Sequence, residues 1–202
     1  MVVRLSCTSL PKHVPISEED EPAPKNPYGE TKLAIDQMIA ASGLSAISLR
    51  YFNVAGAYKS SHGWLSERHN PETHLIPNVL RASKEAPVKI FGTDWPTADG
   101  TCIRDYVHVI DLIEAHIAAL EKLPSGKHEI INLGSGNGYS VKEVIAAAGR
   151  AVGHEIPAIA SERRAGDPAI LIADIAKAKR YLNWQPARGI DQMVADSWNS
   201  IK

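Results

Sequence analysis

The sequence predicts an α/β fold built on a largely parallel sheet. Segments that read as strands alternate along the chain with segments that read as helices, the pattern of strands joined by crossover helices. The 202 residues are 44% apolar, enough to bury a sizeable core. No apolar run approaches the roughly 18 residues of a membrane span, so membrane partners are not expected.

The elements follow in order. Residues 1–26 read as irregular, with four prolines and the acidic run Glu18-Glu19-Asp20-Glu21. A helix then starts: Asn26 can cap it, Pro27 suits its first turn, and Ile35, Met38 and Ile39 recur at helical spacing until Gly43. Residues 45–54 alternate and are rich in β-branched and aromatic types, a strand. Residues 56–73 read as a loop, 75–85 as a helix and 88–91 as a short strand. The stretch 92–101 is turn-rich, with Asp99-Gly100 its strongest signal. Residues 103–109 alternate like a strand. Asp111 opens an amphipathic helix through Ile113, Ile117 and Leu120. Residues 129–133 form a strand, and Ser140 with Glu143 is a capping box for a helix over 140–152. Helices are expected over 174–182 and 190–201.

Composition excludes several classes. Lys+Arg 22 against Asp+Glu 23 gives a net charge of −1, which argues against a protein that needs a basic surface to hold nucleic acid. Two cysteines, Cys7 and Cys102, cannot build a disulfide framework. The first residues lack the apolar stretch of a secretory signal, so a cytoplasmic location is expected.

The most informative short segment is Asn26-Pro-Tyr28-Gly-Glu-Thr-Lys32. Tyr28 and Lys32 stand four apart on one helical face. A phenol with a reference pKa of about 10 is a poor base at neutral pH. A neighbouring ammonium favours the phenolate and lowers that pKa. Such a pair can take a proton from a substrate hydroxyl if a hydride acceptor lies beside it. Tyr and Lys at this spacing also occur on helices with no such role.

The surroundings are more specific. Leu49-Arg-Tyr-Phe-Asn-Val-Ala-Gly-Ala, Thr73-His-Leu-Ile-Pro and Phe91-Gly-Thr-Asp-Trp-Pro-Thr-Ala-Asp-Gly-Thr-Cys-Ile-Arg-Asp-Tyr-Val-His-Val follow the tyrosine motif in order, and Arg163-Arg-Ala-Gly-Asp-Pro-Ala completes the set. From about residue 14 to its end, the chain resembles the extended short-chain dehydrogenase/reductase family, in its nucleotide-sugar epimerase branch. The resemblance implies the C-terminal portion of a Rossmann-type parallel sheet plus a smaller α/β substrate-binding region, with the N-terminal βαβ units missing. Residues 1–57 would be a remnant of the NAD-binding domain. Residues 58–202 would mainly bind UDP-sugar, with 104–134 partly returning to the Rossmann sheet.

The activity implied is interconversion of UDP-glucose and UDP-galactose by transient oxidation at C4 with bound NAD, in a complete protein that is a homodimer. Tyr28 resembles the catalytic base, and Lys32 the lysine that holds the nicotinamide ribose. Phe52 matches a position at the nicotinamide end, Asn53 one at the sugar diphosphate. Leu75 and Phe91 fall where the family contacts the nucleotide, Phe91 beside uracil. Arg104 and Arg164 match arginines on the diphosphate, as planar forks suit phosphate oxygens. Asp167 resembles the carboxylate on the uridine ribose. A related NAD-dependent decarboxylase or dehydratase, or a non-catalytic nucleotide-sugar-binding remnant, are the alternatives.

Each position also has a purely structural reading. Leu75 and Phe91 would be buried in any such fold. Arg104 can pair locally with Asp105, and Arg163, Arg164 and Asp167 can form a solvated charge cluster. Asn53 ends a strand, where ligands gather in open α/β sheets.

Two patterns are set aside. Gly134-Ser-Gly136-Asn-Gly138 imitates a dinucleotide-binding turn but has G-x-G-x-G spacing, so it is expected to be structural. His62, His69 and His74 share one loop region without Cys or carboxylate partners at ligand spacing, so no metal is expected there. The chain contains no G-x-x-G-x-x-G turn for a pyrophosphate, and only 27 residues precede Tyr28 where the family places several βαβ units. Ser6, Thr8 and Ser9 lie where the family has a Ser/Thr-rich strand end, but in a different order, and take no catalytic role. The chain alone is therefore expected to leave apolar edges open, to be poorly soluble and not to retain NAD.

Overall fold

The first helix forms for local reasons. In the computed structural model, which describes residues 13–24 and 26–202, α1 spans Pro27–Ser42. The Asn26 side chain accepts the Gly29 N–H at 2.8 Å, and Gly43 at φ 68° takes the left-handed conformation that ends the helix. The apolar spacing does not decide which face is buried. Gly29 and Asp36 are the buried residues of α1, whereas Tyr28 and Met38 are exposed. Asp36 docks the helix instead: its carboxylate accepts from Arg50 Nη2 at 3.0 Å and Ser48 Oγ at 2.6 Å, both on the neighbouring strand. Ser6, Cys7, Thr8 and Ser9 lie outside the described residues, as does the first part, 1–12, of the irregular segment expected before α1.

The strand expected over 45–54 divides into β1 (Ala46–Tyr51) and β2 (Asn53–Ala55), separated at Phe52. The expected loop contains a hairpin, β3 (Tyr58–Ser60) and β4 (Gly63–Leu65). Helix α2 covers only Leu75–Leu80, short of the expected residue 85; beyond it Ser83 and Ala86 form a tight turn. β5 spans Val88–Phe91.

The next expected strand also divides, into β6 (Ile103–Arg104) and β7 (Tyr106–His108), with Asp105 between them. Helix α3 (Val109–Glu121) begins at His108, whose Nδ1 accepts the Ile110 N–H, rather than at Asp111. The stripe Ile113, Ile117 and Leu120 is exposed, Leu120 to 71%, and the buried stripe is Asp111, Leu112, Ala115 and Ala119. Both stripes satisfy helical spacing, so periodicity cannot choose between them.

β8 (His128–Leu133) and β9 (Tyr139–Ser140) lead into α4 (Val141–Val152), which carries the expected capping box of Ser140 and Glu143. Such caps contribute about 1 kcal/mol. β10 (Ala158–Ser161), β11 (Ile170–Leu171), α5 (Ala176–Leu182) and α6 (Ile190–Asn199) complete the order.

Four of the six strand pairings are parallel, β1 with β8, β2 with β7, β5 with β10 and β6 with β11, as the alternation of elements predicts. Two apolar clusters hold the layers. One packs α3 and α5 on the β1–β8 pair through Leu49, Ile131, Leu133, Leu112, Leu182 and Trp184. The other joins α2, α4 and α6 through Ile76, Val79, Val144, Met193 and Val194. Each fully buried aliphatic side chain contributes about 1.5–3 kcal/mol. The β2–β7 pair borders both clusters, and its ends open on the site described next.

Candidate functional site

Asp105 fixes the frame of the site. It is fully buried where β6 gives way to β7, and its carboxylate gathers three segments. Oδ1 accepts from the Ser135 N–H and Oγ, both at 2.6 Å, and Oδ2 from the N–H groups of Gly136 at 3.1 Å and Ala173 at 3.0 Å. The glycine-rich turn at 134–138 thus has two of its N–H groups turned onto a carboxylate of the same chain, while those of Asn137 and Gly138 donate to Ser135 Oγ. A Cβ at Gly134 would meet Asp105 Oδ2 at 2.4 Å, which explains the glycine. The main-chain oxygen of Asp105 accepts the N–H of Asn53 at 3.1 Å and its Nδ2 at 3.0 Å, aligning the end of β2.

Beside this frame lies a cavity of about 210 Å³. Asn53, Leu75, Phe91, Arg104, Arg164 and Asp167, drawn from segments far apart in sequence, all line it. The guanidinium of Arg164 stacks 3.8 Å from the Phe91 ring centroid, an arrangement that combines cation–π attraction with a planar donor fork. Arg104 does not pair with its neighbour Asp105; its Nη2 lies 3.6 Å from Asp167 Oδ2, and its Nη1 donates to the Ile103 carbonyl at 2.9 Å. Of the expected charge cluster, Arg163 points elsewhere, stacking on Trp95 and donating to Asp94 Oδ1 at 2.8 Å. Three cations, Lys89, Arg104 and Arg164, against two carboxylates, Glu67 and Asp167, in a half-apolar cavity suit an anionic ligand with a ring and a hydroxylated sugar.

Sequence reasoning missed Cys102, Tyr106 and Ser197 on the same walls. Burial raises the pKa of the Cys102 thiol, partly offset by the Arg104 guanidinium, so it serves as an uncharged wall group. Burial likewise pushes the Tyr106 phenol far above its ordinary value. Tyr28, Lys32 and Phe52 are not among the lining residues. Tyr28 is 45% exposed, and Lys32 Nζ stands 5.3 Å from its ring centroid, so the pair does converge on one face of α1.

The expectation that the loop histidines lack carboxylate partners is corrected. Glu67 and Glu72 stand against His69 and His74, whereas His62 is apart, beside Ser61. The signal was present in the sequence, since Glu67 and Glu72 stand two residues before His69 and His74.

An α/β frame of parallel strand pairs with a polar–apolar cavity at its strand ends defines the class of open α/β proteins that gather ligands at such ends. Residues 4–134 match the model of the NAD dependent epimerase/dehydratase family, and the chain belongs to that family. It is 52% identical over 195 residues to a UDP-glucose 4-epimerase of Corynebacterium glutamicum, covering 93% of this chain and 58% of the relative. It is 49% identical over 197 residues to one of Halalkalibacterium halodurans, covering 94% and 58%. Among solved structures it is similar to the Stenotrophomonas maltophila UDP-glucose-4-epimerase with bound NAD and formylated UDP-arabinopyranose. There the TM-score is 0.89 at 34% identity, over 98% of this chain and 61% of the other. A Brucella ovis UDP-glucose 4-epimerase in complex with NAD gives 0.87 at 38%, over 98% and 63%. The chain therefore spans about three fifths of the length of these relatives. Among the described residues, no helix is long and apolar enough to cross a membrane.

Proposed function

We propose that this chain carries the UDP-sugar side and the proton-transfer pair of a UDP-glucose 4-epimerase, which interconverts UDP-glucose and UDP-galactose in galactose metabolism. The observation that carries the reading is the convergence of all six expected substrate residues on one cavity. Arg104 and Arg164 supply donor forks for the diphosphate, Phe91 and Leu75 an apolar seat for uracil, Asp167 an acceptor for ribose hydroxyls, and Asn53 a polar group toward the sugar.

The fit to NAD is partial. Tyr28, Lys32 and Phe52 suit the nicotinamide end, with the Lys32 ammonium 5.3 Å from the Tyr28 ring centroid. The glycine-rich turn at 134–138 has its Ser135 and Gly136 N–H groups occupied by Asp105 and those of Asn137 and Gly138 by Ser135 Oγ, so it offers no pyrophosphate cradle. When bound, NAD supplies the hydride acceptor and donor for C4. Tyr28 takes the proton of the 4-hydroxyl and later returns it, and the cavity holds the nucleotide while the sugar presents either face.

Residues 1–57 are assigned to the cofactor side and 58–202 mainly to the substrate side. The pairings of β1 with β8 and β2 with β7, which tie 104–134 to the first segment, support this division. The exposed face of α1, with Met38, is the surface proposed for homodimer contact in a complete protein.

Titration calorimetry of the 202-residue chain with UDP tests the substrate reading. Charge-assisted hydrogen bonds are worth about 1.5–3 kcal/mol, so Arg164→Ala and Arg104→Ala should each weaken UDP binding by roughly 10- to 150-fold. Absence of UDP binding to the parent chain, or affinity unchanged in both variants, would refute it. Sugar-product analysis separates epimerisation from decarboxylation or dehydration.

A further inference from the structure

The loop between β4 and α2 brings together four potential ligands that the epimerase reading does not use. One ligand atom from each of Glu67, His69, Glu72 and His74 lies within 4.8 Å of the other three. His69 Nδ1 is 2.6 Å from Glu67 Oε1, and His74 Nδ1 contacts the same oxygen. Both imidazole nitrogens are 3.9 Å from Glu72 Oε1, and the two rings meet edge to face at 5.0 Å. A tetrahedral zinc with bonds of about 2.0–2.1 Å holds its ligand atoms roughly 3.3 Å apart, midway between these separations.

Glu72 supplies the second, independent observation. Only 5% of its side chain is exposed. Its Oε1 accepts the N–H groups of Thr73 and His74, both at 2.9 Å, which fixes the carboxylate in place. Its Oε2 is buried without a hydrogen-bond partner, with only Arg81 Nη1 at 4.0 Å. The buried carboxylate thus presents Oε1 to the two imidazoles while Oε2 has only a guanidinium at the limit of ion-pair distance, so its charge is incompletely compensated. With neutral imidazoles the cluster carries two negative charges, which one divalent ion balances.

We propose that Glu67, His69, Glu72 and His74 bind one divalent transition-metal ion of the zinc class. Two imidazoles with two carboxylates are a borderline donor set that favours zinc over magnesium or calcium, which take oxygen ligands. Four protein ligands leave no open position, so the ion is structural. It fastens residues 67–74 immediately before Leu75, and Glu67 and His74 are themselves on the cavity wall. The site does not depend on the reading of the cavity's ligand.

The test uses the full 202-residue chain without an affinity tag. After removal of metal with a chelator, zinc is titrated against a chromophoric competitor, and cobalt is titrated while the visible absorption of a tetrahedral ion is followed. One zinc per chain with submicromolar affinity is expected, together with a cobalt spectrum saturating at one equivalent. His69→Ala/His74→Ala and Glu67→Gln/Glu72→Gln should each lose at least 100-fold in zinc affinity, while His62→Ala/His154→Ala keeps it. Circular dichroism verifies that the variants are folded. If they are not, the zinc and cobalt titrations of the parent chain decide alone. Binding weaker than 100 μM, a cobalt spectrum without tetrahedral intensity, or affinity unchanged in both ligand variants would overturn the proposal.

Discussion

Replacing Asp105 with Asn is the sharpest test of how the site is framed, because it keeps the shape and changes only charge and donor pattern. The carboxylate accepts four bonds, two on each oxygen. An amide keeps one acceptor oxygen and turns two donors toward the other pair. The less costly orientation places the NH₂ toward Ser135, whose hydroxyl can rotate to accept. The Ser135 N–H is then buried against a donor, which costs about 1–3 kcal/mol. The bonds from Gly136 and Ala173 pass from charge-assisted to neutral, losing roughly 1 kcal/mol each. The sum is about 3–5 kcal/mol, or on the order of 6–20 °C in Tm for a chain of this size. Urea denaturation followed by circular dichroism measures the first, and a thermal scan the second. UDP binding should weaken in parallel, because Asn53 is aligned by the main chain of the same residue. A loss below about 1 kcal/mol would refute the account of Asp105 as the buried hub, since such a value is typical of a surface substitution.

Three further outcomes are expected. Gly56 has φ 86°, and a Cβ there would meet His108 Nε2 at 2.4 Å, so Gly56→Ala should cost at least about 2 kcal/mol of stability, where a neutral result would exclude the close approach. Buried His108 has its pKa lowered by desolvation, partly opposed by its hydrogen bond to Asp196; with an unfolded value of about 6.5, its native form binds fewer protons than the unfolded chain below that pH. Its contribution is thus complete above about pH 6.5 and is lost as pH falls through the lower folded value. Tm measured from pH 8 to 5 should fall, with a shallower slope in His108→Gln; equal slopes would remove His108 as the cause. In a completed enzyme, with the N-terminal cofactor-binding part joined to this chain, Tyr28→Phe should lower turnover by about 10²–10⁴ and leave UDP affinity unchanged, since Tyr28 is not on the cavity wall. Equal turnover would take Tyr28 out of proton transfer, and lost UDP affinity would make it a binding residue.

What the sequence determined by itself was local. The cap of α1 by Asn26, its stop at Gly43, and the capping box of Ser140 with Glu143 each join groups within a few residues, so their chemistry is complete in a short window. Strand β5 and the tyrosine–lysine pair were legible for the same reason. The motif resemblance further indicated six residues that line one cavity, though not how they meet. Only the tertiary structure decided the rest. β9, β10 and β11 are two to four residues long and hold their shape through distant partners, as β10 does on β5, so no short window contains their cause. The buried stripe of α3 was selected by what packs against it, since its two apolar stripes are equivalent in spacing. Asp105 beside Arg104 reads as a surface ion pair; chain crossing instead put its carboxylate under Ser135, Gly136 and Ala173 and gave Arg104 to Asp167. A carboxylate's role follows from the donors that surround it, and those donors are set by the path of the chain.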